Sequence, residues 1–180
     1  MIVPLPQSAR IFRVAAGPLL YTLTLLLLSA CGADGEPDEL FRAGEYERAY
    51  KIFRERVAEG DVNAVNFLGI HFYLGAGVER DYERAVKFFE LAALENDANA
   101  QRNLGIMYMR GLGVPQDNHR AYAWFFQAYS GGGNQNARKY LQMLSDNVTP
   151  NAGGRAREWV AEQLRMHSEK KADLQQALSF

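Results

Sequence analysis

The sequence predicts an all-α fold built from stacked helical pairs. An internal repeat is the first observation behind this. Leu68 and Leu104, Gly69 and Gly105, Gly75 and Gly111, Gly77 and Gly113, Val78 and Val114, Asp81 and Asp117, Ala85 and Ala121, and Ala92 and Ala128 each stand 36 positions apart. Identities sustained at one offset of this length mark a repeat architecture, in which each helical pair buries its apolar face only against its neighbours. The second observation is helical spacing of apolar residues within each half-unit, as at Ala64, Phe67, Leu68 and Phe72. Punctuation is the third: a Gly-x-Gly-Val turn leads to an Asp placed to cap the next helix.

Composition narrows the class. The chain has 180 residues, 48% hydrophobic and 23% charged, which suits one globular domain plus accessories. A net charge of -1 gives no electrostatic case for nucleic acid, whose binders carry a basic face or stripe. Cys31 is the single cysteine, so neither an intramolecular disulfide nor a cysteine-built zinc site is available.

The N-terminus reads as an address. Arg10 and Arg13 precede an uncharged, mostly apolar stretch over 14–30 that ends in Leu25-Leu26-Leu27-Leu28. That length lies between a signal h-region and a short membrane span of about 17–25 residues. Leu28-Ser29-Ala30-Cys31 resembles the bacterial lipobox, in which the signal is cut before the cysteine and the thiol receives diacylglycerol. The expectation is a lipoprotein signal peptide over 1–30, lipidation at Cys31, and a flexible tether over 31–37. An uncleaved anchor with an incidental cysteine is the alternative. Gly32 follows the cysteine where an Asp would imply inner-membrane retention. The resemblance thus implies a lipid-anchored protein of the bacterial cell envelope, on the periplasmic face of the outer membrane if the source is Gram-negative. Without Arg10 and Arg13 the mature chain has 18 basic and 21 acidic residues, so it is not a polybasic lipid binder.

The mature chain is then taken in order. A truncated first repeat spans 38–62: a short helix over 38–43 ends at Gly44, and a second over 46–59 carries Ala49, Ile52, Phe53 and Val57 before Gly60. Its Tyr46-Glu47-Arg48-Ala49 recurs as Tyr82-Glu83-Arg84-Ala85. The first full repeat, 63–98, opens with a helix over 63–74, turns at 75–78, and continues from Asp81 into a helix over 82–95 with Ala85, Phe88, Phe89 and Ala92 inward. Gly69 lies mid-helix, where glycine costs about 1 kcal/mol against alanine. Its recurrence at Gly105 predicts that the next helix crosses close to the backbone there. The second repeat, 99–134, uses the same devices, with Ala121, Trp124, Phe125 and Ala128 in its second helix. Over 135–167 a partial repeat and C-terminal cap follow. Ala137 and Leu141 match Ala100 and Leu104 at an offset of 37, the glycine turn is missing, and Thr149-Pro150 starts a closing helix through Trp159, Val160 and Leu164. The tail, 168–180, is charged and then weakly amphipathic, and is expected to fray.

The pattern Leu-Gly, an aromatic, Gly-x-Gly-Val, Asp, and two alanines seven apart resembles Sel1-like repeats, relatives of the tetratricopeptide repeat. Leu68-Gly69, Phe72, Gly75, Gly77-Val78, Asp81, Ala85 and Ala92 carry the resemblance in the first unit. Leu104-Gly105, Tyr108, Gly111, Gly113-Val114, Asp117, Ala121, Trp124 and Ala128 carry it in the second. Departures are the missing glycine turn of the third unit and Asn118 where an aromatic is common. The resemblance implies a right-handed α-solenoid whose first helices line a concave, protein-binding face. Bacterial members serve as adaptors in envelope assembly, exopolysaccharide secretion, signalling and host contact. Secreted members that act on β-lactams carry cysteine pairs, which this chain lacks.

Chemistry is sparse. His71, His119 and His167 lie on different helices without metal-ligand spacing, and Ser130 and Ser145 stand at helix ends where serine is ordinary. The glycine turns follow no strand and lead to no Gly-Lys-Ser/Thr, so they are not phosphate loops. The expectation is a non-enzymatic protein with no cofactor, no metal site and no nucleic-acid partner. By tetratricopeptide analogy the groove-facing positions are Asn63, Asn66, Ile70 and Tyr73, then Asn99, Arg102, Asn103, Ile106, Met109 and Arg110, then Asn136, Lys139 and Met143. From these, Asn66, Tyr73, Asn99, Arg102, Asn103, Met109, Arg110 and Lys139 are the candidate partner-binding set. A protein or peptide could meet amide rows flanked by cations. Alternatively Asn63, Asn99 and Asn136 simply begin helices, and Arg102 and Lys139 are solvated. The functional expectation is a membrane-anchored adaptor. A glycan-contacting accessory of exopolysaccharide assembly or export is the alternative. Since shared residues explain packing, specificity belongs where the copies differ, as at Asn66/Arg102, Phe67/Asn103 and Leu74/Arg110.

Overall fold

Ala49, Ala85 and Ala121 occupy one position in three successive second helices, and all stand at 0% exposure. Small side chains there let neighbouring helices close to interior packing density. The computed structural model describes residues 35–177. From Pro37 onward the chain forms one unit. Its helices are α1 (Pro37–Arg42), α2 (Tyr46–Ala58), α3 (Val62–Leu74), α4 (Tyr82–Leu94), α5 (Ala98–Arg110), α6 (Asn118–Ser130), α7 (Gln135–Leu144) and α8 (Pro150–Ala177). A 3-10 turn, Ser145–Asn147, joins the last two. Each helix from α1 to α6 packs on the next in sequence, which makes the unit an α-solenoid. The expected signal segment and Cys31 lie outside the described residues, as do 178–180. Among the described residues no helix is long and apolar enough to cross a membrane.

The mid-helix glycines do what their recurrence predicts. A Cβ on Gly69 would stand 2.5 Å from the Phe89 ring, and one on Gly105 would stand 2.7 Å from Phe125. The turn glycines have a second duty beyond their backbone angle. Gly77 and Gly113 both hold φ at 70°, and a Cβ would come within 2.6 Å of the Tyr46 backbone in one and 2.5 Å of Tyr82 in the other. Each turn therefore seats on the first residue of the preceding second helix, which fixes the stacking of one repeat on the last.

The helix starts differ from the expected ones by one or two residues. Asp61, Asp97 and Asn134 are the caps, accepting from Asn63 N at 2.9 Å, from Asn99 N and Ala100 N, and from Asn136 N and Ala137 N. Asn63, Asn99 and Asn136 thus lie inside the first turn. They donate to the cap instead of forming it, because the side-chain oxygen of the preceding polar residue already reaches their N–H groups. Asp81 and Asp117 cap α4 and α6 as the sequence predicts.

At the C-terminal end the 3-10 turn replaces the glycine turn, and Pro150 takes the first position of α8. This 28-residue helix, about 42 Å long, packs on α6 and reaches α4. Trp159 meets Trp124 edge-on with ring centroids 6.4 Å apart, and the Arg157 guanidinium lies 4.7 Å above the Phe126 ring. The helix continues past 168 to Ala177, into the tail that the sequence marks as prone to fray. His167 Nε2 stands 3.0 Å from Glu95 Oε1, and Lys171 bonds the other carboxylate oxygen, tying α8 to the end of α4. One apolar core runs from α3 to α8, and a second joins α1, α2 and the start of α3, with Tyr50 and Phe88 bordering both.

Candidate functional site

Phe53, Phe89 and Phe125 share one repeat position on α2, α4 and α6. Phe53 stacks on Phe67 of α3 with centroids 4.5 Å apart and planes 8° apart. Phe125 stacks on Tyr140 of α7 at 4.6 Å and 8°. The matching residue beside Phe89 is Asn103 of α5, which has no ring. A cavity of about 230 Å³ lies there, between α3 and α5, lined by Ile70, Tyr73, Leu74, Phe89, Arg102, Asn103, Ile106 and Met107. The site is thus a local break in the repeat's own aromatic stacking.

Its polar edge is organised by side-chain amides. Asn66 is 4% exposed, and its Oδ1 accepts from Asn103 Nδ2 at 3.1 Å. Asn103 Oδ1 in turn accepts from Arg102 Nη2 at 2.8 Å. The Arg102 Nε–H is shielded from solvent and meets no acceptor, and no carboxylate pairs with this guanidinium among the described residues. Arg110 Nη1 donates to the Tyr73 hydroxyl at 3.5 Å, while Leu74 is 53% exposed beside them.

Of the candidate set, the fold brings Tyr73, Arg102 and Asn103 to the cavity, with Asn66 behind Asn103 and Arg110 at the Tyr73 hydroxyl. Asn99 stands elsewhere and accepts from Asn134 Nδ2 at 3.0 Å. Met109 is half-buried away from the cavity, its carbonyl taken by Gln116 Nε2 at 2.9 Å. Lys139 is exposed on α7, at the repeat position of Arg102. Phe89 lines the cavity although its spacing marks it as core, and Met107, at the repeat position of His71, lines it too. What signals them is the Phe67/Asn103 difference, a ring present in one copy and absent in the next.

His71 and His167 are held by the fold. His71 is fully buried, its Nδ1 2.6 Å from the Ala76 carbonyl oxygen, with Phe41, Tyr50 and Phe53 edge-on around its ring. Burial holds its pKa below the ordinary imidazole value, against the opposing effect of the Ala76 bond. The Lys171 and His167 hydrogen bonds hold the Glu95 carboxyl below its usual range. Among the described residues no group of three His, Cys, Asp or Glu side chains is placed to hold a metal ion.

The family model of the Sel1 repeat matches residues 62–97 and 98–133. The chain carries two Sel1 repeats. Solved structures agree with this. One is a protective antigen present in uropathogenic Escherichia coli strains and displaying an SLR fold, 28% identical, with a TM-score of 0.65 over 78% of this chain. Another is a Sel1 repeat protein from Oxalobacter formigenes, 27% identical, with a TM-score of 0.55 over 73% of this chain. The aligned region spans 31% of the first of those proteins and 54% of the second. No curated protein matches the chain in a sequence comparison. Sel1 repeats are in general non-catalytic helical scaffolds that mediate protein–protein interaction.

Proposed function

We propose that this protein is a membrane-tethered, non-enzymatic adaptor. Lipid on Cys31 holds it at a bacterial cell envelope, at the periplasmic face of the outer membrane in a Gram-negative source. Its Sel1 repeats take a protein or peptide partner on the face formed by α3, α5 and α7. The cavity beside Arg102 carries this reading: a half-buried cation without a counter-charge, set in an apolar hollow on the first-helix face. Buried charges are ordinarily paired, so an unpaired one at a surface hollow favours an external anion or dipole. Lys139, at the same repeat position, adds a second cation on that face. Two or more acyl chains give durable anchoring where one is marginal, which suits a small body on a short tether.

Pull-down from solubilised membranes tests the face, comparing the natural chain with Arg102→Glu/Lys139→Glu. Loss of a specific partner with helical content intact supports the adaptor reading, and unchanged recovery removes it. Membrane fractionation tests the tether: Cys31→Ser moves the protein to the soluble fraction, whereas equal membrane attachment contradicts lipidation.

A further inference from the structure

Two of the three phenylalanines at the shared second-helix position are stacked by an aromatic ring from the following first helix, in both cases with planes 8° apart. Phe89 rests on Gly69 and lines the cavity instead, because Asn103 stands where Phe67 and Tyr140 stand in the neighbouring repeats. At about 230 Å³ the cavity is smaller than the roughly 300–1,000 Å³ of sites that enclose whole small molecules, and suits one large side chain. Ile70 and Ile106 give it apolar walls. Arg102 lines the same cavity, bonded to one neutral amide and to no carboxylate among the described residues. A guanidinium in that position selects a planar anion that it can bond through two N–H groups.

On the adaptor reading above, we propose that the cavity takes the C-terminal residue of a partner peptide, its aromatic ring set between Ile70 and Ile106 over the buried Phe89 and its terminal carboxylate bonding Arg102. The two requirements meet in one residue. A C-terminal aromatic carries its ring and its carboxylate on the same Cα, so both reach the walls of a cavity this small. The Asn66–Asn103 amide pair orients Arg102 from behind and adds no competing charge.

Calorimetric titration of the full chain in detergent tests this with three peptides: Ser-Gly-Ser-Gly-Phe as free acid, the same peptide as C-terminal amide, and Ser-Gly-Ser-Gly-Gly as free acid. The Phe acid binds about tenfold tighter than the amide, the loss of one charge-assisted hydrogen-bond pair, and the Gly peptide gives no measurable heat. Arg102→Met erases the difference between acid and amide. Asn103→Tyr restores the ring that Tyr140 supplies in the next repeat and abolishes binding of both Phe peptides. Circular dichroism checks that both variants stay folded. Equal affinity for acid and amide, no binding of the Phe acid, or unchanged binding by Asn103→Tyr overturns the inference. If the peptides fail while charge reversal at Arg102 and Lys139 still releases a protein partner, this inference falls and the adaptor reading stands. If charge reversal leaves partner recovery unchanged, the adaptor reading itself falls.

Discussion

Phe89 and Phe125 lie directly over glycine backbone, so the helix-weakening Gly69 and Gly105 are retained for contact and not for flexibility. Two opposing effects act on Gly69→Ala. Alanine gains about 1 kcal/mol in helix propensity. Its Cβ, however, falls 2.5 Å from the buried Phe89 ring, which has to leave its packed position to admit it. Overpacking of this kind costs about 1–3 kcal/mol, and it wins. Urea denaturation of Gly69→Ala and Gly105→Ala therefore shows net destabilisation, and a rise in midpoint for either contradicts the packing account. His71 gives a prediction of different sign. Its folded pKa is depressed, so below the unfolded value of about 6.5 the unfolded chain binds the proton more readily. The stability that depends on neutral His71 is present above that pH and is lost as pH falls through it towards the folded pKa. Substituting Met, the residue at the equivalent position 107, flattens the melting temperature between neutral and mildly acidic pH relative to the natural chain. An unchanged pH slope contradicts the burial argument.

Helix starts show where local sequence misleads. Asn63, Asn99 and Asn136 look like caps by composition, yet the caps are Asp61, Asp97 and Asn134, two residues earlier. Two cap-forming residues so close together cannot be told apart without knowing which side-chain oxygen faces the helix. The turn before each first helix hides a second regularity. Gly60, Asn96 and Gly133 all have positive φ, at 91°, 66° and 67°, but the middle one is asparagine, so no glycine repeat is visible there. Asn134 works on two helices at once: its Oδ1 caps α7, and its Nδ2 donates to Asn99 Oδ1 at 3.0 Å and Ala98 O at 3.3 Å on α5. Asn134→Ala accordingly costs about 1–2 kcal/mol in chemical unfolding. Asn134→Asp keeps the cap oxygen, loses the donor, and falls between. Equal stability of Asp and Ala variants contradicts the cap assignment.

Across the whole molecule, the stacking of pairs was legible because each repeat solves the same packing problem with the same residues, Leu68/Leu104 and Gly77/Gly113 among them. The cavity was legible only in part. Phe67/Asn103 stands out as a difference between copies, but that position 103 faces Phe89 follows from how α4 and α5 pack. The link from α8 to Glu95 was not legible at all, since 72 residues separate His167 from its partner. Together these features describe a scaffold whose second helices are closed off by their own packing and by α8, leaving the first-helix face with an unfilled hollow and an unpaired cation. The claim that this face receives the partner is the central one. Site-specific photo-crosslinking in intact cells tests it, with benzoylphenylalanine in place of Tyr73 at the cavity or of the exposed Lys87 on α4. A discrete adduct from position 73 and none from position 87 is the predicted result; an adduct from position 87 alone would contradict the account.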